Sequence, residues 1–371
     1  MSLFPPSACP RLVVKVGSAL LVDPNGAVRR EWLATLVTDI VERAIAGQRV
    51  AIVSSGAIAL GARRLKLAKG GRASLEDAQA AAATGQIALA QTWAEELGAQ
   101  GLQAAQMLVT LGDLEDRRRY LNAAATLGRL LTLGVVPVIN ENDSVATEEI
   151  RFGDNDRLAA RVAQAAGANG VVLLSDVDGL YDANPSTHPG ARHVPLVERI
   201  EAVAAMADGG SASGMGSGGM TSKIAAARIA TGVGIPLAIA SGRIERPLSD
   251  GPSGEPRHTL FTAERTASAR KAWLAGGLTA AGMIRVDAGA AAALAAGGSL
   301  LAAGATAVEG DFGRGDLVSI EGPAGRIARG LAEYDATEME QLLGRRSEEQ
   351  AAILGYAPRA ALVHRSHLAL L

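Results

Sequence analysis

Lysine is scarce in this chain, and its placement is informative. Of 36 basic residues, 31 are arginine and five are lysine: Lys15, Lys66, Lys69, Lys223 and Lys271. Lys15 ends an apolar run just before Gly17, and Lys223 closes the glycine-rich stretch that starts at Ser213, where a helix is predicted to begin. A lysine is a compact cation on a flexible stem, which suits a phosphate. Glycine amides and a helix N-terminus complete an anion site. Either lysine alone could stand beside glycine by chance. The two together, each after a strand–loop pattern, point to a phosphoryl group.

Acidic and amide groups crowd the same kind of position. Asn140 to Asp143 and Ser175 to Asp178 follow predicted strands, and Asp154, Asn155 and Asp156 open a predicted helix. Each alone reads as a turn residue or a helix cap. As a set beside cationic loops, they suit a polar substrate with an ammonium group and a nucleotide phosphate with Mg²⁺.

Other signatures fail. Gly214, Gly216 and Gly219 spell Gly-x-Gly-x-x-Gly, but no clear strand directly precedes them and no acid follows about 20 positions on. Lys223 follows Ser222, whereas a Walker loop needs a Ser or Thr after its lysine. No Gly-x-Ser-x-Gly elbow occurs, and Asp311-Phe-Gly313 lacks a preceding His-Arg-Asp loop. The five histidines lack metal-site spacing, and Cys9, the single cysteine, excludes an internal disulfide and a cysteine-based zinc cluster.

The elements that must position these residues alternate. Apolar runs over 12–16, 50–53, 104–109, 135–139, 171–174 and 235–240 read as strands. Helical patterns occupy 33–44, 75–97, 118–133, 156–166 and 220–231. Strands apolar on both faces, separated by amphipathic helices, predict an α/β fold with a mostly parallel sheet sandwiched by helices. Ligands then bind beyond the carboxyl ends of the strands, where the polar residues stand. A Pro-, Gly- and charge-rich stretch over 245–258 reads as a linker or long loop, and short glycine-broken strands after Gly277 predict a small β-rich domain. The expected division is a catalytic domain at 1–265 and a second domain at 277–371.

Six motifs together resemble the amino-acid kinase family, and within it the glutamate 5-kinases. They are Lys15-Val-Gly-Ser, Ser54-Ser-Gly-Ala-Ile, Pro137-Val-Ile-Asn-Glu-Asn-Asp143, Gly153-Asp-Asn-Asp156, Ser175-Asp-Val-Asp-Gly-Leu-Tyr181 and Gly216-Ser-Gly-Gly-Met-Thr-Ser-Lys223. Gly310-Asp-Phe-Gly-Arg-Gly-Asp-Leu-Val318 is similar to the PUA domain that many of these enzymes carry. The resemblance implies transfer of a phosphoryl group from ATP to the side-chain carboxylate of L-glutamate, the first step of proline synthesis. It implies that Lys15 and Lys223 neutralise the transferring group and that Asp156 holds them in position. Ser55, Asp143 and Asn155 would bind glutamate, with Gly56, Asn140 and Asp154 beside it. Lys15, Ser175, Asp176, Ser217, Gly218, Gly219, Met220, Thr221, Ser222 and Lys223 would contact ATP. Mg²⁺ would sit on ATP oxygens and waters, with no protein ligand named. A homo-oligomer inhibited by proline is also implied. Kinases of aspartate, acetylglutamate or a nucleotide share the fold, and only the stretch from Asn140 to Asp143 argues against them, through the same resemblance.

Composition sets outer bounds. At 371 residues the chain is long enough for two to three domains and a substantial core. Aromatics are only 3%, so the core must be built from Ala, Val, Leu and Ile. The net charge of −2 argues against a strongly cationic nucleic-acid binder. From Thr279 onward, eight Arg and no Lys face eleven acids, giving −3, so RNA binding by the tail is not expected. The uncharged run over 288–308 is Ala- and Gly-rich, too poor in Leu and Val for a bilayer helix. The first eleven residues lack a secretory pattern, and a cytoplasmic protein is expected. Every candidate catalytic residue precedes Glu245, so the tail is expected to be dispensable for phosphoryl transfer.

Overall fold

The computed structural model describes residues 3–145, 154–185, 187–203, 219–249, 257–263, 280–359 and 361–371. Two compact units emerge, one of residues 1–115 with 123–264, the other of 116–122 with 265–371.

The first unit opens with β1 (Arg11–Val16), α1 (Ser18–Leu21), α2 (Arg30–Ile45), β2 (Arg49–Ser54), α3 (Ala57–Arg64) and α4 (Leu75–Ala99). It continues with β3 (Ala104–Val109), α5 (Leu111–Glu115), α6 (Arg117–Thr132), of which 117–122 group with the second unit, β4 (Val136–Glu141), α7 (Asn155–Ala166) and β5 (Gly170–Ser175). Three two-residue strands follow, β6 (Leu180–Tyr181), β7 (His193–Val194) and β8 (Leu196–Val197). Then come α8 (Met220–Gly232), β9 (Leu237–Ser241) and β10 (His258–Phe261). Eight strands form one sheet in the order β3-β4-β2-β1-β5-β9-β10-β8, while β6 and β7 pair separately. Every pairing in the large sheet is parallel except β9 with β10. The central strands carry Val and Leu on both faces, and Val13, Val14, Val171, Val172, Leu173 and Leu174 have no exposed surface. A sheet buried on both sides needs that pattern.

Two features lie outside the expected pattern. Four-residue β10 begins where the stretch read as a loop ends and runs against β9, too short to give a periodic signal. Helix α3 begins directly at the polar end of β2, in a turn that Gly56 makes with φ +117°. A Cβ there would be strained by that φ and would meet Val22 Cγ2 at 3.2 Å.

In the second unit, strands Ala305–Gly310, Gly282–Val286, Leu317–Gly322, Gly325–Leu331 and Leu368–Leu370 lie in that order in a five-stranded sheet. Ile284, Val318, Ile320, Tyr334, Met339 and Leu362 fill its core. The uncharged run over 288–308 becomes the eight-residue helix Ala288–Ala295 and the strand that follows. No described helix is long and apolar enough to cross a membrane.

Candidate active site

The strands β4, β2, β1 and β5 are neighbours, so their carboxyl ends form one row. Val16 stands opposite Ser54 on one side and Leu174 on the other, and Val53 opposite Ile139. That register brings Lys15, Ser54, Asn140 and Ser175 to one edge of the sheet.

Helix α7 supplies the centre. Asp154 caps its N-terminus by accepting from the Arg157 amide at 3.3 Å, which places Asp156 in the first turn, where a helix favours negative charge. Asp156 Oδ1 lies 2.6 Å from Lys15 Nζ, and Oδ2 accepts from Lys223 Nζ at 2.9 Å. All three are buried. Burial works against the Asp156 carboxylate, but the ammoniums of Lys15 and Lys223 outweigh it and hold the group below the usual carboxylate range. Burial pulls Lys15 below the ordinary lysine value; Asp156 opposes this, and the Lys223 charge adds to it. Removing two ammoniums and one carboxylate from water costs several kcal/mol per ion, about enough to make this cluster a poor stabilising device. Two cations on one anion leave an excess positive charge, which an entering phosphate would match.

Lys223 arrives from the first turn of α8, whose N-cap is Gly219. The Ser222 hydroxyl donates to Asp154 Oδ1, tying the starts of α7 and α8 together. Met220 and Thr221 lie on that first turn, whose amides are the orphan donors of a helix start. Ser217 and Gly218 lie outside the described residues. Ser175 Oγ donates to Asp176 Oδ1 at 3.1 Å, and Asp176 lies 3.8 Å from an Arg243 nitrogen.

A second cluster is made of amides. Asn155 Nδ2 donates to Ser55 Oγ at 2.8 Å and to Asn140 Oδ1 at 3.1 Å. Asn140 Nδ2 donates in turn to Gln86 Oε1 at 2.7 Å. Asp143 is buried in the turn after β4, and its Oδ1 has no hydrogen-bond partner among the described residues. Burial pushes its carboxyl up to about 6, with the Arg72 charge opposing.

The structure therefore brings Lys15, Asp156 and Lys223 into direct contact, joins Ser222 to Asp154, and links Ser55, Asn155 and Asn140. Asp143 and the Ser175–Asp176 pair are placed at strand ends, with no bond to either cluster among the described residues. Gln86 and Trp93, whose indole donates to Ser54 Oγ at 2.9 Å, are contributions that sequence reasoning missed. Both sit in an Ala-rich helix whose periodicity reports only which face is buried. Among the described residues, no three His, Cys, Asp or Glu side chains gather closely enough to hold a metal ion.

The sequence pattern of the amino acid kinase family matches residues 10–241, and that of the PUA domain matches residues 282–354. The chain is 73% identical over 373 residues to a glutamate 5-kinase of Sphingopyxis alaskensis, covering all of both proteins. Identity is 63% over 367 residues to that of Novosphingobium aromaticivorans, covering 98% of this chain and 97% of the relative. With the glutamate 5-kinase of Zymomonas mobilis it is 60% over 375 residues, covering 100% and 94%. By these matches the chain belongs to the amino acid kinase family, among its glutamate 5-kinases.

Proposed function

We propose that this protein transfers the γ-phosphoryl group of ATP to the side-chain carboxylate of L-glutamate, giving ADP and L-glutamyl 5-phosphate, the opening step of proline synthesis. The observation that carries this reading is the fork of Asp156 between Lys15 and Lys223. A carboxylate oxygen of glutamate attacks the γ-phosphorus, the bond from phosphorus to the β-bridging oxygen breaks, and its electrons leave on ADP. The nucleophile is already an anion, so no general base is needed. What the protein supplies is alignment of two mutually repelling anions and neutralisation of the charge between them.

In this reading Lys15 and Lys223 meet the transferring group, and Asp156 keeps both ammoniums in place. Ser55, Asn155 and Asp143 take the amino acid, with Gly56, Asn140 and Asp154 beside it. Asp143 faces the substrate ammonium, because a buried carboxylate with an unpaired oxygen is matched by a cation. ATP lies along Ser175, Asp176 and the start of α8 from Ser217 to Lys223. Mg²⁺ would arrive with ATP and neutralise phosphate charge, and no residue of this chain is assigned to hold it. Residues 1–265 form the catalytic domain and 277–371 the PUA-like one. The family resemblance adds a cytoplasmic location, a homo-oligomer and inhibition by proline, open to a sizing measurement and a proline titration.

The test is ATP consumption with Mg²⁺, trapping the acyl phosphate with hydroxylamine, across glutamate, aspartate and acetylglutamate. Hydroxamate with glutamate alone is expected. No product from folded protein that binds ATP would discard the function while leaving the fold.

A further inference from the structure

Gln86 lies on α4 immediately after Gly85, and only 9% of it is exposed. Its Oε1 is the acceptor for Asn140 Nδ2. The Asn140 amide can be oriented without assumption. The backbone N–H of Glu141 can only donate, and it donates to Asn140 Oδ1 at 2.9 Å. The other end of that amide is therefore Nδ2, a buried donor that needs an acceptor, and Gln86 provides it. Asn140 Oδ1 then also receives Asn155 Nδ2, whose second hydrogen goes to Ser55 Oγ.

Two free groups result from this ordering. Asn155 Oδ1 is left buried and unpartnered among the described residues. The Ser55 hydroxyl, having accepted, keeps its own proton to give. One spare acceptor and one spare donor match the ammonium and the carboxylate of an α-amino acid.

We propose that Gln86 is a positioning residue that sets the donor–acceptor polarity of the amide chain, so that Asn155 Oδ1 accepts from the substrate ammonium and Ser55 donates to a substrate carboxylate. This rests on reading the pocket as the amino-acid site. Gln86 acts only through Asn140. Without its acceptor, the Asn140 donor is unsatisfied, and a turn of that amide would set Nδ2 against the Glu141 N–H. The result is a polarity conflict at the substrate end of the chain.

The experiment compares wild-type protein with Gln86→Met, Gln86→Ser and Gln86→Glu in the hydroxamate assay. Gln86→Met keeps the length and removes the acceptor. Its KM for glutamate should rise about tenfold or more, as expected when a hydrogen bond to a charged group is lost. Its kcat should stay within about threefold, and its KM for ATP should not change, because the phosphoryl machinery is untouched. Gln86→Glu keeps an acceptor toward Asn140 and should restore KM to within about threefold of wild type. Gln86→Ser is too short to reach Asn140 and reads the same loss should the Met variant not fold. An unchanged glutamate KM in the Met or Ser variant overturns the assignment, as does a Glu variant that falls as far as Met. Wild-type protein making no hydroxamate with glutamate overturns the pocket reading itself, a separate and recognisable failure.

Discussion

Gly61 on α3 and Gly85 on α4 meet so closely that a Cβ on either would lie 1.8 Å from a backbone carbonyl oxygen of the opposite helix. No rotamer relieves such a contact; the helices would have to part. Gly85→Ala should lower stability by about 3 kcal/mol or more, at the upper end of overpacking effects. Denaturation midpoints check this, and a midpoint equal to wild type would refute it. Because α3 starts directly after Ser55 and Gly56, the same change should raise the KM for glutamate.

Lys223→Ala removes one of the two cations proposed to meet the transferring group. Turnover should fall by about 10²-fold or more, as loss of a transition-state charge contact does. Single-turnover kinetics at saturating ATP measure the step directly. Near-normal turnover would remove Lys223 from the role assigned to it.

Asp143 gives a pH signature. Its carboxyl is raised from 3.8 to about 6 in the folded chain, so between those values the native state holds a proton that the unfolded state has released. Its effect on folding is therefore neutral below the unfolded value, grows more unfavourable as pH rises from there through about 6, and levels off above that at a cost on the order of 3 kcal/mol. Asp143→Asn should raise the melting temperature at pH about 8 and leave it unchanged near pH 4. Glutamate should bind to the ionised form, so its KM in wild type should climb as pH falls through about 6. A flat KM between pH about 5 and 8 would separate Asp143 from the substrate ammonium.

Much of the site is legible because function concentrates at strand ends. Lys15 and Lys223 stand out in a chain that otherwise uses arginine, and Asp156 sits in a polar cluster where a helix must start. What links them is tertiary. Nothing in the spacing between positions 15, 156 and 223 says that one carboxylate meets both ammoniums; the parallel sheet order does. Gln86 is hidden for a related reason, since an amide in an Ala-rich helix gives no local signal. Its role emerges only when α4 is laid against the end of β4. The fold is readable where Val and Ile runs repeat and unreadable at β8 and β10, where two and four residues carry no period.

The hydrogen bond from the Trp93 indole to Ser54 has a consequence for observation. Trp93 has no exposed surface, and the hydroxyl it touches belongs to the residue just before Ser55, which is assigned to the substrate. Any adjustment at Ser55 on ligand entry alters the polarity felt by a dry indole. The protein thus carries an intrinsic fluorophore hydrogen-bonded to the residue beside its proposed glutamate contact. Titration with glutamate should shift its emission without any label, and Trp93→Phe should silence the response while Trp32→Phe leaves it intact.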